Sequence, residues 1–211
     1  MFELVERRHA EGVQLNIETK IDPTAPAETV GPEQFVAEIV AVVRHHRDGV
    51  ERSLLQSFGW RTLAVARRVV PELRRVALVQ ASTVQIGQPG ASAWLGGIDV
   101  DQRPYQGDIA YAATSVGADV LSPDHTILTD PVIASAHQHG QRVVPYTVND
   151  VRTMNTFIGR GVDGLISDYP DRLRDVLDGL GIALPPPLPR ALSNGCASRS
   201  SPNRSCRRST G

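Results

Sequence analysis

Apolar and polar residues follow two different periods along this chain. Six segments show the alternation or the continuous apolar run that is typical of β-strands. These predicted strands are 13–20, 52–58, 74–80, 118–124, 141–149 and 162–168. Longer segments with apolar residues three or four positions apart predict helices. The predicted helices are 2–8, 32–49, 60–70, 129–140, 150–161 and 169–181. Residues 81–107 are rich in Gly, Ser and Gln and predict no regular element.

The order of these elements predicts the fold class. Strands and helices take turns almost without a break, which is typical of parallel βα units in an α/β barrel or a doubly wound sheet. The glycine-rich patterns of nucleotide-binding sheets do not occur in the sequence. Polar residues instead follow the predicted strands at their carboxyl ends, where barrel enzymes build their active sites. These pairs are Glu18 and Lys20, Gln56 and Ser57, Ser122 and Asp124, Thr147 and Asn149, and Ser167 and Asp168. A barrel is therefore favoured.

Composition and charge narrow the possible functions. The formal net charge of −1 over 211 residues provides no basic field, so we expect no nucleic-acid partner. No apolar run approaches the roughly 20 residues that span a bilayer, so we expect no membrane span. The first ten residues contain acids and no apolar signal core, which favours a cytoplasmic location.

The end of the sequence differs in composition from the rest. Both cysteines, Cys196 and Cys206, lie in a Ser- and Arg-rich stretch with few apolar residues, which cannot bury enough surface to fold. A proline-rich run at 184–189 precedes it and stiffens the chain. We therefore expect a barrel portion over 1–183 and a Pro-rich linker with a disordered tail over 184–211.

The segment "LNIETK" (15–20) carries the first candidate chemistry. Asn16, Glu18 and Lys20 project from one face of the predicted strand. Glu18 offers oxygen ligands to a hard cation such as Mg²⁺ or Ca²⁺, and Lys20 offers a positive charge to a phosphate. The spacing alone fits a phosphoryl-transfer site and a structural Glu–Lys pair equally well.

Four segments together resemble the glycerophosphodiester phosphodiesterase family: "LNIETK", "QSF", "HQHGQRVVPYTVND" and "GVDGLISDYPDRL". The resemblance implies a (β/α)₈ barrel that hydrolyses glycerophosphodiesters to glycerol 3-phosphate and an alcohol in lipid metabolism. It implies one divalent metal, held by three carboxylates, and two histidines for acid–base chemistry. By this comparison Glu18 is a metal ligand and Lys20 contacts phosphate. Phe58 and Tyr146 are the candidate substrate-binding aromatics, and the alternative for both is packing in the core. Gly59 stands where the family usually has Asp.

The same comparison exposes a difference. The "HRG", "E-x-D" and "HD" segments of the family do not occur here, so we expect an incomplete (β/α)₈ TIM barrel of about six of eight βα units. No catalytic residue is predicted, because His125, the one histidine at a predicted strand end, is interpreted as incidental. We expect weak or no hydrolysis by this chain. The alternative is a non-catalytic barrel remnant that binds or completes a partner, with self-association through open sheet edges.

Two further residues receive a predicted role from their positions. Asp168, at the end of the last predicted strand, is expected to cap the closing helix rather than to touch substrate. Trp60, just after a strand end, is expected to contribute to the rim of the site.

Overall fold

The computed structural model describes residues 1–10 and 12–185. Its centre is one sheet of five parallel strands in the order β1-β2-β3-β4-β5. The strands are β1 Leu15–Thr19, β2 Ser53–Ser57, β3 Arg74–Val79, β4 Val120–Pro123 and β5 Arg142–Val143. Each strand pairs with its neighbour in sequence, as in a barrel, but the sheet is open because β1 and β5 are not joined. The predicted α/β class and the open barrel are confirmed. Most of the predicted linker and tail lies outside the described residues.

Eight helices connect and flank the strands in the described residues. They are α1 Phe2–Arg7, α2 Pro32–His45, α3 Trp60–Val69, α4 Ala81–Val84, α5 Ile109–Thr114, α6 Asp130–Gln138, α7 Val151–Gly159 and α8 Pro170–Gly179. A 3₁₀ turn, His125–Ile127, follows β4. The short helices α4 and α5 are not predicted from sequence, because too few turns exist for a helical period to show. None of the described helices combines the length and the apolar character needed to cross a bilayer.

The two faces of the sheet have different environments. In β2 the side chains of Ser53, Leu55 and Ser57 are buried, whereas Leu54 and Gln56 between them are half-buried. Leu55 joins the main core with helical residues such as Leu63 and Met154. Leu54 instead lines a groove of about 450 Å³ on the inner face. The helices therefore cover one face, and the inner face of β2 borders a groove, whereas nearly all side chains of β3 and β4 are buried on both faces.

The predicted sixth strand, 162–168, is not a regular strand. Its backbone follows β5 through hydrogen bonds from Asp163 N to Val143 O (2.9 Å) and from Ile166 N to Pro145 O (3.0 Å). The ladder stops early because Pro145 has no N–H to donate and Gly164 has no side chain to pack. For the same reason β5 itself covers two residues instead of the nine predicted. Five strands and this extended segment thus stand where six strands are predicted.

Candidate functional site

A cleft of about 210 Å³ lies at the carboxyl ends of β1 and β2. Its lining includes Glu18 and Lys20 from β1 and the segment after it, Phe58 after β2, and Trp94 from the loop between α4 and α5. Parallel strands place their carboxyl ends at one edge, which brings these residues together. Three of the four candidate site residues thus share the cleft, and the fourth, Tyr146, contacts Phe58.

Glu18 and Lys20 form an ion pair in the cleft. Lys20 Nζ donates to Glu18 Oε1 at 2.5 Å, and the side chains are 78% and 23% exposed, respectively. An ammonium so exposed is strongly solvated, so the pair contributes little to folding stability. Lys20 is therefore free to exchange its carboxylate for another anion.

Two contacts between β1 and β2 fix the strand ends that carry the site. On the inner face, Asn16 Nδ2 donates to Gln56 Oε1 at 2.6 Å. On the covered face, Thr19 Oγ1 donates to Ser57 Oγ at 2.7 Å. Ser57 Oγ also accepts from Gly59 N at 3.0 Å, which holds the turn after β2. Glu18 and Phe58 therefore each lie next in sequence to a residue that is hydrogen-bonded across the two strands.

An aromatic cluster forms one wall of the cleft. The ring of Phe58 meets Tyr146 edge-on at 5.9 Å and Trp94 edge-on at 6.4 Å between centroids. Sequence reasoning missed Trp94, although a large aromatic residue in a Gly- and Ser-rich stretch is a usable signal. The expectation that Trp60 contributes to the rim is wrong. Trp60 is fully buried, and its Nε1 donates to Leu78 O at 3.3 Å.

Tyr146 presents its ring, not its hydroxyl, to the cluster. Its hydroxyl donates to Val79 O at 3.0 Å. Burial raises the pKa of the Tyr146 phenol well above its ordinary value, and the negative charges of Asp124 and Glu18 act in the same direction. The phenol is therefore neutral at physiological pH, and its proton is committed to a carbonyl oxygen.

His125 is held by the backbone of Tyr146 and by Phe157, not by Glu18 or Lys20. Its Nδ1 lies 3.3 Å from Tyr146 O, and its ring meets Phe157 edge-on at 6.2 Å. The adjacent Asp124 caps the 3₁₀ turn by accepting from Thr126 N at 2.8 Å. Partial burial alone would raise the pKa of Asp124, but the hydrogen bonds from Thr126 hold it below its ordinary value.

A second polar group joins the segment between β5 and α7 to the segment between α7 and α8. Asn149 Nδ2 donates to Asp168 Oδ2 at 2.8 Å, and Asn149 Oδ1 accepts from Ser167 Oγ at 3.1 Å. The prediction that Asp168 caps α8 is wrong, because the N-cap residue is Tyr169 and no side chain caps that helix. Asp168 is instead bound to the amide of Asn149.

The described residues supply only part of a metal site. Within 1–10 and 12–185 no three His, Cys, Asp or Glu side chains come together in an arrangement that holds a metal ion. Glu18 is a hard oxygen donor of the right class for Mg²⁺ or Ca²⁺. One carboxylate does not fit the several-ligand requirement of a catalytic ion.

A family model and a sequence relative both match this chain to the same protein family. A family model described as the glycerophosphoryl diester phosphodiesterase family matches residues 2–172. A glycerophosphodiester phosphodiesterase of Bacillus subtilis is 25% identical over 166 residues, which are 77% of this chain and 48% of that protein. The chain thus spans about half the length of this curated relative.

Solved structures show the same fold. A candidate glycerophosphoryl diester phosphodiesterase from Silicibacter pomeroyi superposes with a TM-score of 0.68 at 25% identity, covering 86% of this chain and 56% of that one. An Oleispira antarctica phosphodiesterase, in complex with the product sn-glycerol-3-phosphate, superposes with a TM-score of 0.61 at 20% identity, covering 84% and 60%. With the family match over residues 2–172, these results show that the chain belongs to the glycerophosphoryl diester phosphodiesterase family.

Proposed function

We propose that this chain binds a glycerophosphodiester in the Glu18–Lys20 cleft and belongs to a protein that hydrolyses such esters to glycerol 3-phosphate and an alcohol in lipid metabolism. The observation that supports it most is the convergence of Glu18, Lys20, Phe58 and Trp94 on one cleft, with Tyr146 behind Phe58. Family membership supports the same chemistry. A domain boundary near residue 183 and a cytoplasmic location belong to this proposal.

Each side chain has a role that its environment supports. The exposed ammonium of Lys20 binds the phosphate, because its bond to Glu18 is easily exchanged. Glu18 would supply one of the several oxygen ligands that a Mg²⁺ or Ca²⁺ ion needs, and a bound ion would neutralise charge on the phosphate. The Phe58, Trp94 and Tyr146 rings face the carbon skeleton of the glycerol or the alcohol.

The polypeptide by itself is proposed to hydrolyse these esters weakly or not at all. None of the described residues that line the cleft is a histidine, and His125 is engaged with Tyr146 O. A positioned general acid or base is worth about 10²–10⁴-fold in rate, so its absence from the cleft suppresses turnover.

The alternative is a binding or partner-completing protein without catalysis. One observation favours it: β1 pairs only with β2 in the described sheet, so the other edge of β1 is free. An unpaired edge is a template for another chain, including a second copy.

The test is hydrolysis of glycerophosphocholine with Mg²⁺ or Ca²⁺ by the wild type and by Glu18→Ala. Glu38→Ala, on the exposed surface of α2, is the matched control. The expected result is a low rate that falls further in Glu18→Ala alone. Robust turnover lost on Glu18→Ala would overturn the weak-activity proposal.

Binding is measured separately with glycerol 3-phosphate. Lys20→Ala is expected to raise the dissociation constant for glycerol 3-phosphate about tenfold or more, because a hydrogen bond to a charged group contributes about 1.5–3 kcal/mol. Equal affinities in the wild type and Lys20→Ala would contradict the proposed site.

A further inference from the structure

Two aromatic rings and two carboxylates line the same cleft as Lys20. The rings belong to Phe58 and Trp94, and the carboxylates belong to Glu18 and Asp22. In the proposed function Lys20 binds the phosphate, so the rings and Asp22 are available to the rest of the ester. Their chemistry therefore indicates what kind of alcohol the ester carries.

The turn that carries Trp94 is held in place by the core. Leu95 is fully buried, and Ser92 is buried with its Oγ donating to a carbonyl oxygen of α4 at 2.6 Å. Trp94 O accepts a hydrogen bond from Trp60 N at 2.8 Å, which joins the turn to the first residue of α3. The ring therefore keeps its position beside Phe58 without a ligand, and a group that binds against the rings does not have to order them first.

The two rings stand nearly at right angles to each other. The planes of Phe58 and Trp94 differ by 83°, their centroids are 6.4 Å apart, and both side chains are half-buried. The face of an aromatic ring carries partial negative charge, and a cation within about 6 Å of the centroid is attracted to it. Two such rings in the wall of a cleft therefore provide an apolar surface that also attracts positive charge.

Asp22 adds a negative charge that no cation in the described chain balances. Glu18 is paired with Lys20, whereas Asp22 forms no ion pair within residues 1–10 and 12–185. Its Oδ1 accepts hydrogen bonds from Thr24 Oγ1 at 2.6 Å and from Thr24 N at 2.8 Å. These bonds, that of the hydroxyl first, lower the pKa of the Asp22 carboxyl, so it is ionised at neutral pH.

The charged side chains around the cleft leave an excess of one negative charge. The lining contributes two carboxylates, Glu18 and Asp22, and one ammonium, Lys20. Beyond the lining, Asp124 adds a negative charge near the aromatic cluster, and Arg61 adds a positive charge beside the loop between α4 and α5. A phosphodiester brings a further negative charge, so the excess grows to two unless its alcohol carries a positive charge.

We infer that the ester bound in this cleft carries a quaternary ammonium alcohol, of which choline is an example, held against Phe58 and Trp94 and beside Asp22. The inference rests on the proposed function, in which Lys20 binds the phosphate of the same ester. The cleft then recognises a zwitterion, with the negative phosphate at the ammonium of Lys20 and the positive alcohol at the rings.

The hydrogen-bonding groups of the cleft favour a quaternary over a primary ammonium. A primary ammonium has three N–H donors that need acceptors, and aromatic rings offer no strong acceptor. Glu18 Oε1 already accepts from Lys20, and Asp22 Oδ1 already accepts from Thr24. A quaternary ammonium donates no hydrogen bond, so its methyl groups pack on the rings while its charge is attracted to their faces.

The test is calorimetric titration of the full chain with three diesters of glycerol 3-phosphate, without divalent ions so that hydrolysis does not interfere. Their alcohols are choline, ethanolamine and glycerol, which carry a quaternary ammonium, a primary ammonium and no charge. The choline ester is expected to bind about fivefold or more tightly than either of the others, as a cation on aromatic faces does. Equal affinities for the three esters would overturn the inference.

Two substitutions of Trp94 separate the attraction of the ring face from apolar contact. Trp94→Leu keeps an apolar side chain without an aromatic face, and Trp94→Phe keeps the face. The ratio of the affinities for the choline and ethanolamine esters is expected to fall about threefold or more in Trp94→Leu and to stay near the wild-type ratio in Trp94→Phe. Tyr111→Leu, at an exposed aromatic residue of α5, is the control and should keep the ratio. An unchanged ratio in Trp94→Leu would contradict the inference.

A substitution of Asp22 tests the charge beside the rings. Asp22→Asn removes the charge and keeps an oxygen that accepts the hydrogen bonds from Thr24. The preference for the choline ester over the uncharged glycerol ester is expected to fall about threefold or more. Asp175→Asn, at an exposed position of α8, is the matched control and should leave this preference unchanged. The same preference in Asp22→Asn as in the wild type would speak against the inference.

Two simpler ligands separate this inference from the proposed function. Glycerol 3-phosphate tests the phosphate site alone, and binding that depends on Lys20 while the three diesters bind equally would retain the proposed function and reject the inference. Tetramethylammonium tests the cation site alone, and the fluorescence of the half-buried Trp94 reports its binding. A response that Asp22→Asn weakens supports the cation site whatever glycerol 3-phosphate does. No response to tetramethylammonium overturns the inference.

Discussion

At the scale of single residues, the two tryptophans have different roles, because one lies in the core and the other lines the cleft. Trp60 is the first residue of α3 and lies in the core, whereas Trp94 lies in a loop and its ring faces Phe58. The two residues are adjacent, because Trp60 N donates to Trp94 O at 2.8 Å, and only their rings lie in different environments.

We expect opposite consequences from truncating these two rings. Trp60→Ala should cost about 3–5 kcal/mol of unfolding free energy, as loss of a fully buried aromatic side chain does. Trp94→Ala should change stability by much less and weaken glycerol 3-phosphate binding. Urea denaturation and calorimetric titration measure the two effects. A Trp94→Ala protein with wild-type affinity would exclude the ring from the binding surface.

Tyr146 gives a prediction about alkaline pH. Its pKa is raised in the folded state, so above about pH 10, the ordinary tyrosine value, the unfolded chain loses a proton that the folded chain keeps. This part of the stability is complete below that pH and is lost as the pH rises above it. We expect unfolding free energy to fall above about pH 10 in the wild type and to fall less steeply in Tyr146→Phe. Parallel curves for the two proteins would contradict the prediction.

At the scale of the elements, the buried Thr19–Ser57 pair joins the ends of β1 and β2. Ser57→Ala leaves the Thr19 hydroxyl without its nearest acceptor and Gly59 N without an acceptor, which should cost about 1–3 kcal/mol. Ser115→Ala, at an exposed helix end, serves as the control and should cost less. Urea unfolding compares the two variants. Equal losses would show that the pair does not tie the strand ends.

The sequence predicts an element well when the residues of that element determine it, and poorly when the element depends on the segment it pairs with. β1 and β2 are found because their alternation is set by the residues of each strand. The length of β5 is overestimated, because Pro145 and Gly164 limit its backbone pairing with residues 162–168. The apolar pattern of a single segment does not show which segment it pairs with. Four candidate residues come from strand ends and from family resemblance. Trp94 is not assigned to the site from sequence, because its approach to Phe58 depends on the path of the loop between α4 and α5.

At the scale of the whole molecule, the open sheet leaves a surface beside β1. Val42 of α2 is 54% exposed there, and it lines a shallow depression with Ile17 of β1. In a closed barrel such positions are covered by the next βα unit. We propose that the chain associates with itself through this surface and the free edge of β1.

We expect the chain to associate with itself in a concentration-dependent way through this surface. Val42→Lys should reduce association, because a lysine beside an edge opposes pairing with another chain. Val69→Lys, on an exposed position of α3, is the matched control and should leave association unchanged. Sedimentation velocity over a range of concentrations measures the effect. Identical behaviour of all three proteins would place association elsewhere or exclude it.

The strand order has a consequence for how the chain reaches this structure. Every pair of neighbouring strands in the described sheet is also consecutive along the chain, so each new unit needs only the one before it. Such nearest-neighbour growth resembles that of solenoid repeats, in which folding begins at any unit and spreads outward. We therefore expect each strand to find its partner strand already synthesised as the polypeptide grows from its amino terminus.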